Sequence, residues 1–267
     1  MRRHLLAVAL LVFGAGASCA TSDDVTKPIT YSLTARQNYE KGLAELKDEN
    51  YPEAAKYFAF VKQKFPFSKY AVLAELAMAD SQFARESYSE AIDSYKNFAR
   101  LHPTHEKVDD GYVAFKIAES YVRQMPDDWF LVPPAHEKDQ SAVRDALREL
   151  EDFLAKFPES KYVKEAKPFR ADVLRRLVDH EVYVARFYLE RGSPKAAVLR
   201  LQVAIRRYPG SGREPELLLA LGQTHLRLGE TAKAKETFER VIAEHGGAYQ
   251  ARRAELYLEY MRGRGKS

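Results

Sequence analysis

Apolar residues recur along the chain in a fixed order of sizes. The segments "YPEAAKYFAFVKQKFP" (51–66) and "YSEAIDSYKNFARLHP" (88–103) superpose at an offset of 37 residues. Each carries a small residue, a large one four positions on and another apolar residue three beyond, with polar residues between. That spacing keeps the apolar set on one face of a helix. The same order precedes five stops: Pro66, Pro103, Pro158, Pro209 and, in the fifth place, Gly246. Twelve residues before each stop stands an alanine: Ala54, Ala91, Ala146, Ala197 and Ala234. Eight before each stands a large side chain: Phe58, Tyr95, Leu150, Leu201 and Phe238. Five before come Val61, Phe98, Phe153, Ala204 and Val241. A small residue lets two helices approach, the large ones fill the space beside it, and proline, which has no N–H, ends the helix.

A second, earlier helix belongs to each unit. Its small residue, 24 positions before the stop, is Gly42, Ala79, Ala185 and Gly222. Repeat three departs from this count. Ala118 of "GYVAFKIAESYVRQ" (111–124) takes the role sixteen residues too early, so an insert, "MPDDWFLVPPAHEKDQ" (125–140), separates its two helices. Ala185 lies 27 residues after Pro158, whereas Ala79 lies 13 after Pro66. The excess predicts a lengthened first helix in repeat four, running from Pro168 to Arg191 over about 36 Å, with Pro168 in its first turn. The pattern resembles the tetratricopeptide repeat, in which antiparallel helix pairs stack into a solenoid. The expected fold is therefore all-α: five helix pairs, an insert in repeat three and a long helix opening repeat four.

The N-terminus follows a different pattern. Arg2 and Arg3 precede an apolar run from Leu5 to Phe13, and small residues follow. This is the layout of an export signal, too short for a permanent membrane span. Signal peptidase could cut after Ala17 or Ala20. Alternatively, Gly16-Ala17-Ser18-Cys19 is a lipobox, although Gly16 stands where leucine is usual, and Cys19 carries the acyl chains. Cys19 is the only cysteine of the chain, with no disulfide partner available to it, which favours lipid attachment. Residues 19–30 are polar and read as a tether. The formal charge of +4 falls by two on removal of residues 1–18, too small an excess for a nucleic-acid binder. A composition rich in Ala, Leu, Glu, Lys and Arg agrees with the helical reading.

Catalytic patterns fail on spacing. His102 and His105 straddle a helix-ending proline, with no further ligands of suitable spacing. "HEVYV" (180–184) has Val184 where a zinc-protease helix needs histidine. "GRGKS" (263–267) ends like a phosphate loop, but that motif's first glycine would fall at Tyr260. Asp127 and Asp128 fit a turn better than a dyad. No nucleophile–base pair, metal site or cofactor loop emerges, so no cofactor is expected and the functional surface should be a binding surface.

Taken together, the five repeats, the insert, the long helix and the lipobox resemble the BamD family, tetratricopeptide lipoproteins of the bacterial outer-membrane β-barrel assembly (BAM) machinery. The resemblance is carried by "YEKGLAELKDENYPEAAKYFAFVKQKFPFSKYA" (39–71), "ALRELEDFLAKFPESKYVKEAK" (146–167) and "HEVYVARFYLERGSPKAAVLRLQVAIRRYPGS" (180–211). It implies a non-enzymatic scaffold anchored on the periplasmic face of the outer membrane. Residues 31–161 would recognise unfolded β-barrel precursors, and residues 162–260 would dock POTRA domains of a BamA-like insertase. Residues 261–267 would form a basic tail, and other BAM lipoproteins are implied as partners. The repeat's usual groove positions fall on Arg36, Tyr39, Leu43 and Lys47. They continue through Leu73, Leu76, Asp80 and Phe83 to Tyr112, Phe115, Glu119 and Arg123. Arg200, Arg206, Arg207 and Arg213 are the docking candidates. The alternative is a tetratricopeptide lipoprotein of another envelope machine, such as pilus secretin assembly or peptidoglycan-synthase coordination.

Overall fold

A computed structural model describes residues 30–125 and 135–264. Cys19 and the export segment lie outside the described residues, as do the tail 265–267 and Asp127, Asp128 and Trp129 of the insert. Among the described residues there are twelve α-helices and no strand.

Ten of the helices make five antiparallel pairs: α1 (Ala35–Lys47) with α2 (Tyr51–Lys64), then α3 (Lys69–Ala84) with α4 (Tyr88–Leu101). The third pair is α6 (Tyr112–Arg123) with α7 (Ser141–Lys156), preceded by the short α5 (Glu106–Asp109). The fourth is α8 (Val163–Glu190) with α9 (Pro194–Arg207), and the fifth α10 (Glu214–Arg227) with α11 (Thr231–His245). A final helix, α12 (Tyr249–Arg264), packs on α11 and α10. From Ser32 onward the chain forms one unit in which each helix packs mainly on its neighbours in sequence.

The repeated positions do what their sizes require. All five alanines are completely buried, and so are the large residues beside them apart from Leu201 at 2% exposure. Gly42 and Gly222 mark where first and second helices come closest. A Cβ on Gly42 would lie 2.6 Å from the Phe58 ring, and one on Gly222 would lie 2.5 Å from Phe238. Four second helices end one residue earlier than a proline stop alone requires. Phe65, His102, Phe157 and Tyr208 each precede the proline and leave the α region, Phe65 at φ −131° and ψ 50°. Crowding by the following proline ring disfavours helical dihedrals at that residue.

The long helix differs from expectation. It begins at Val163, five residues before Pro168, so Pro168 lies inside the helix rather than in its first turn. Its 28 residues span about 42 Å. The segment before the proline is helical because Ala166 is fully buried in the core there. Repeat three's first helix, α6, is preceded by a break from α5. Gly111 takes a left-handed φ of +82° between α5 and α6, and a Cβ there would press on Phe157 at about 3.1 Å. The end of the insert forms a 3-10 turn, Ala135–Glu137, against α8, where the His136 carbonyl lies 2.6 Å from His180 Nδ1. The boundary expected at residue 260 falls within α12, which continues to Arg264.

Candidate functional site

The first helices succeed one another along one side of the stack, and polar and aromatic side chains bridge successive seams. Tyr39 of α1 packs its ring 5.7 Å from that of Tyr70 on α3, and 5.9 Å from Phe58 behind it. Arg36 is exposed and paired with Glu40 at 2.7 Å, one turn along its own helix. Lys47 is exposed at the end of α1, and Leu43 is exposed between them.

The seam between α3 and α6 holds the densest polar arrangement. Tyr95 and Tyr112 each donate a hydrogen bond of 2.6 Å to the same oxygen of Asp80. Burial pushes the Asp80 carboxyl above the ordinary carboxylate range, against the lowering effect of the two phenol donors. Both phenols are pushed well above their ordinary value, first by burial and then by the Asp80 charge, so they remain donors. The cluster therefore fixes one repeat against the next. Asp80 is consumed as an acceptor and Tyr112 is half-buried on its way to it.

Beside this cluster the surface opens. Lys116 places its ammonium 3.9 Å above the centre of the Phe83 ring, close enough for a cation–π contact. Phe83 in turn meets Tyr88 edge-on at 5.4 Å. Glu119, 7% exposed, is flanked by Lys116 at 2.9 Å and Arg123 at 3.3 Å, one turn to either side. Arg123 also reaches the Phe169 ring of α8 at 5.9 Å. The result is an aromatic strip with fixed cations along its edge. Lys116 was not singled out from the sequence, yet it lies four residues after Tyr112 and three before Glu119, on the same helix face.

Phe115 does not belong to this surface. It is 2% exposed, stacked on Tyr162 at 5.1 Å and close to Phe153 and Phe169, in the core that joins repeats three and four. Its position in the repeat points it inward at the place where α8 closes over α6. Leu76 is likewise buried, and Leu73 is partly so.

The C-terminal arginines divide into two kinds. Arg213 bridges Asp179 of α8 at 3.1 Å and Glu216 of α10 at 2.8 Å, and Arg200 reaches the buried Glu181 at 3.5 Å. These two tie repeat four together and to repeat five. Arg206 and Arg207 are exposed in the last turn of α9. The two histidines of "HPTHE" have structural partners: His102 lies 2.7 Å from Glu75, and His105 accepts the Lys107 backbone N–H at the start of α5.

Five helix pairs with small residues at each closest approach, one added helix at the end and a side-chain strip across the first helices define a tetratricopeptide solenoid. A tetratricopeptide-repeat model matches residues 219–266, and a model described as an outer membrane lipoprotein, YfiO, matches residues 32–241. The chain belongs to this YfiO, or BamD, family of outer membrane lipoproteins. It is similar to the outer membrane protein assembly factor BamD of Neisseria meningitidis serogroup A, with 29% identity over 245 residues covering 89% of each chain. The factor of the same name from Rickettsia prowazekii is also 29% identical, covering 85% of this chain and 84% of its own. That from Haemophilus influenzae is 25% identical, covering 87% and 86%.

Proposed function

We propose that this chain is an outer-membrane protein assembly factor: a non-enzymatic lipoprotein scaffold that receives unfolded β-barrel precursors and brings them to a BamA-type insertase. The observation that carries the reading is the family match over residues 32–241, with relatives named as assembly factors aligning over nearly their whole length. The anchor would be acyl chains on Cys19, holding the solenoid on the periplasmic face of the outer membrane.

The division of labour follows from surface chemistry. An unfolded β-barrel segment alternates apolar and polar side chains and offers an unpaired backbone. The strip of Phe83, Tyr88 and Lys116, edged by Arg123, suits such an extended segment, with ring faces for its apolar residues and cations for its carboxylates. Tyr39 and Tyr112 present only part of their rings, and Arg36 and Lys47 lie at the far end of the same side. The exposed Arg206 and Arg207 suit a polar interface with a folded POTRA domain. Arg200 and Arg213 would contribute there mainly by holding α8, α9 and α10 in place. Other BAM lipoproteins would complete the assembly.

Photo-crosslinking in the intact chain tests this reading. A photoreactive residue at Phe83 should capture unfolded outer-membrane proteins, and one at Arg206 should capture the POTRA-bearing insertase. Cys19→Ala should release the chain from outer-membrane fractions. Precursor adducts formed at Arg206 and absent at Phe83 would reverse the division, and a membrane-bound Cys19→Ala chain would remove the anchor.

A further inference from the structure

A cavity of about 520 Å³ lies on the side of the first helices, between α8, α10 and α12, well away from the Phe83 strip in sequence. Its volume is within the range of pockets that hold ligands or a few peptide residues. Val182 and Leu189 of α8 and Leu217 and Ala220 of α10 give it an apolar lining. Gln223 and Tyr257, hydrogen-bonded to each other at 2.9 Å, close the end towards α12.

Four charged side chains line this cavity, and they differ in kind. Arg213 and Glu216 are paired with each other at 2.8 Å, and Arg213 also with Asp179. Arg186 of α8 and Arg227 of α10 are exposed, and among the described residues neither makes an ion pair or a hydrogen bond. Both belong to the lining. Arg186 lies four residues after Val182 and three before Leu189 on its helix, and Arg227 lies seven after Ala220 on the other. Three arginines against one carboxylate give the largely apolar cavity a net positive charge, and that carboxylate, Glu216, is paired with Arg213, which leaves an unused guanidinium on each of two walls.

We propose that this cavity binds a polypeptide segment in which an apolar side chain is flanked by two carboxylate side chains. The apolar residue fills the space over Leu217 and Ala220, and the carboxylates take Arg186 and Arg227. Arginine favours this role because its planar donors hold a carboxylate with two parallel hydrogen bonds. A cation on each of two separate helices fits two flanking side chains better than a single chain terminus. The site is separate from the precursor strip and the Arg206–Arg207 surface, so it stands or falls independently of them.

The test uses the full chain in detergent and a fluorescein-labelled peptide, blocked at both ends, with leucine between two glutamates. The expected result is saturable binding that is about tenfold weaker when both glutamates are replaced by glutamine. Arg186→Gln with Arg227→Gln should remove that preference, and Ala220→Trp should abolish binding by filling the cavity, with circular dichroism showing that the helices remain. Lys235→Gln, on the exposed face of α11, should leave the affinity unchanged. Equal affinity for the two peptides overturns the proposal, as does a preference that survives the double substitution. Undiminished binding by a folded Ala220→Trp chain, or binding lost with Lys235→Gln, would place the peptide elsewhere and overturn it too.

Discussion

Among the described glycines, Gly42 and Gly222 have the least room for a side chain, each placed opposite a phenylalanine. Glycine inside a helix is unfavourable by about 0.8–1.0 kcal/mol relative to alanine, so Gly42 and Gly222 are poor choices by propensity alone. They persist because a methyl group on either would overlap the Phe58 or Phe238 ring. Overpacking of this kind costs about 1–3 kcal/mol, which exceeds the propensity gain. Gly222→Ala should therefore lower stability, by up to about 2 kcal/mol net, although alanine is the better helix former. Adding Phe238→Leu should recover part of the loss. A melting temperature raised by Gly222→Ala alone would show that propensity outweighs the contact. These pairs were readable in the sequence because they recur at one spacing from each stop. Phe115 was misplaced by the same logic: its repeat position suggests a groove, but the unmarked start of α8 sets Tyr162 against its ring and Phe169 nearby. Lys116 escaped notice because a lysine on a polar face carries no signal until a ring from another helix lies beneath it.

Helix ends were legible where a proline marked them and poorly legible elsewhere. The start of α8 has no such mark: Tyr162 caps it with helical dihedrals and no side-chain hydrogen bond. Pro168 was thus the strongest local signal and the wrong one, since the preceding turn is held by the burial of Ala166. The sequence gives α12 little better punctuation, with no proline after it and a buried face made of Ala251, Ala254 and Leu258 among many polar residues. Pro168 in the sixth position of α8 leaves the Lys164 carbonyl without its usual helical donor. Pro168→Ala restores that donor and relieves the ring's crowding against the preceding turn. It should raise stability by about 1–3 kcal/mol, measured by urea denaturation. A loss of stability would mean that the proline's restriction of the unfolded chain outweighs the missing bond.

Across the whole molecule the stack is not evenly divided. One core runs without a break from Phe115 and Ala118 of α6 through α7, α8 and α9 to Leu217 and Leu221 of α10. It passes through the boundary at residues 161 and 162 that separates the two proposed roles. Smaller cores serve α1 to α3, the packing of α3 and α4 on α6, and α10 to α12. At the centre of the large core, α8 packs on α6 and α7 on one side and on α9 on the other. A solenoid of equal repeats loses stability locally when one interface is weakened. Here the outcome should depend on which core is cut. Leu174, 1% exposed near the middle of α8, belongs to the large core. Leu174→Ala should cost about 2–5 kcal/mol and lower amide hydrogen-exchange protection from α6 to α10 together. Phe58→Ala, in the small first core, should cost about 3–5 kcal/mol yet lower protection mainly in α1, α2 and α3. The comparison separates two ways in which the halves could communicate. If Leu174→Ala loosens α8 and α9 while α6 and α7 keep their protection, the halves are energetically separate and each role could be carried alone. If α6 through α10 open as one unit, precursor-facing and insertase-facing surfaces share a single cooperative core, and α8 is the element through which binding at one can be felt at the other.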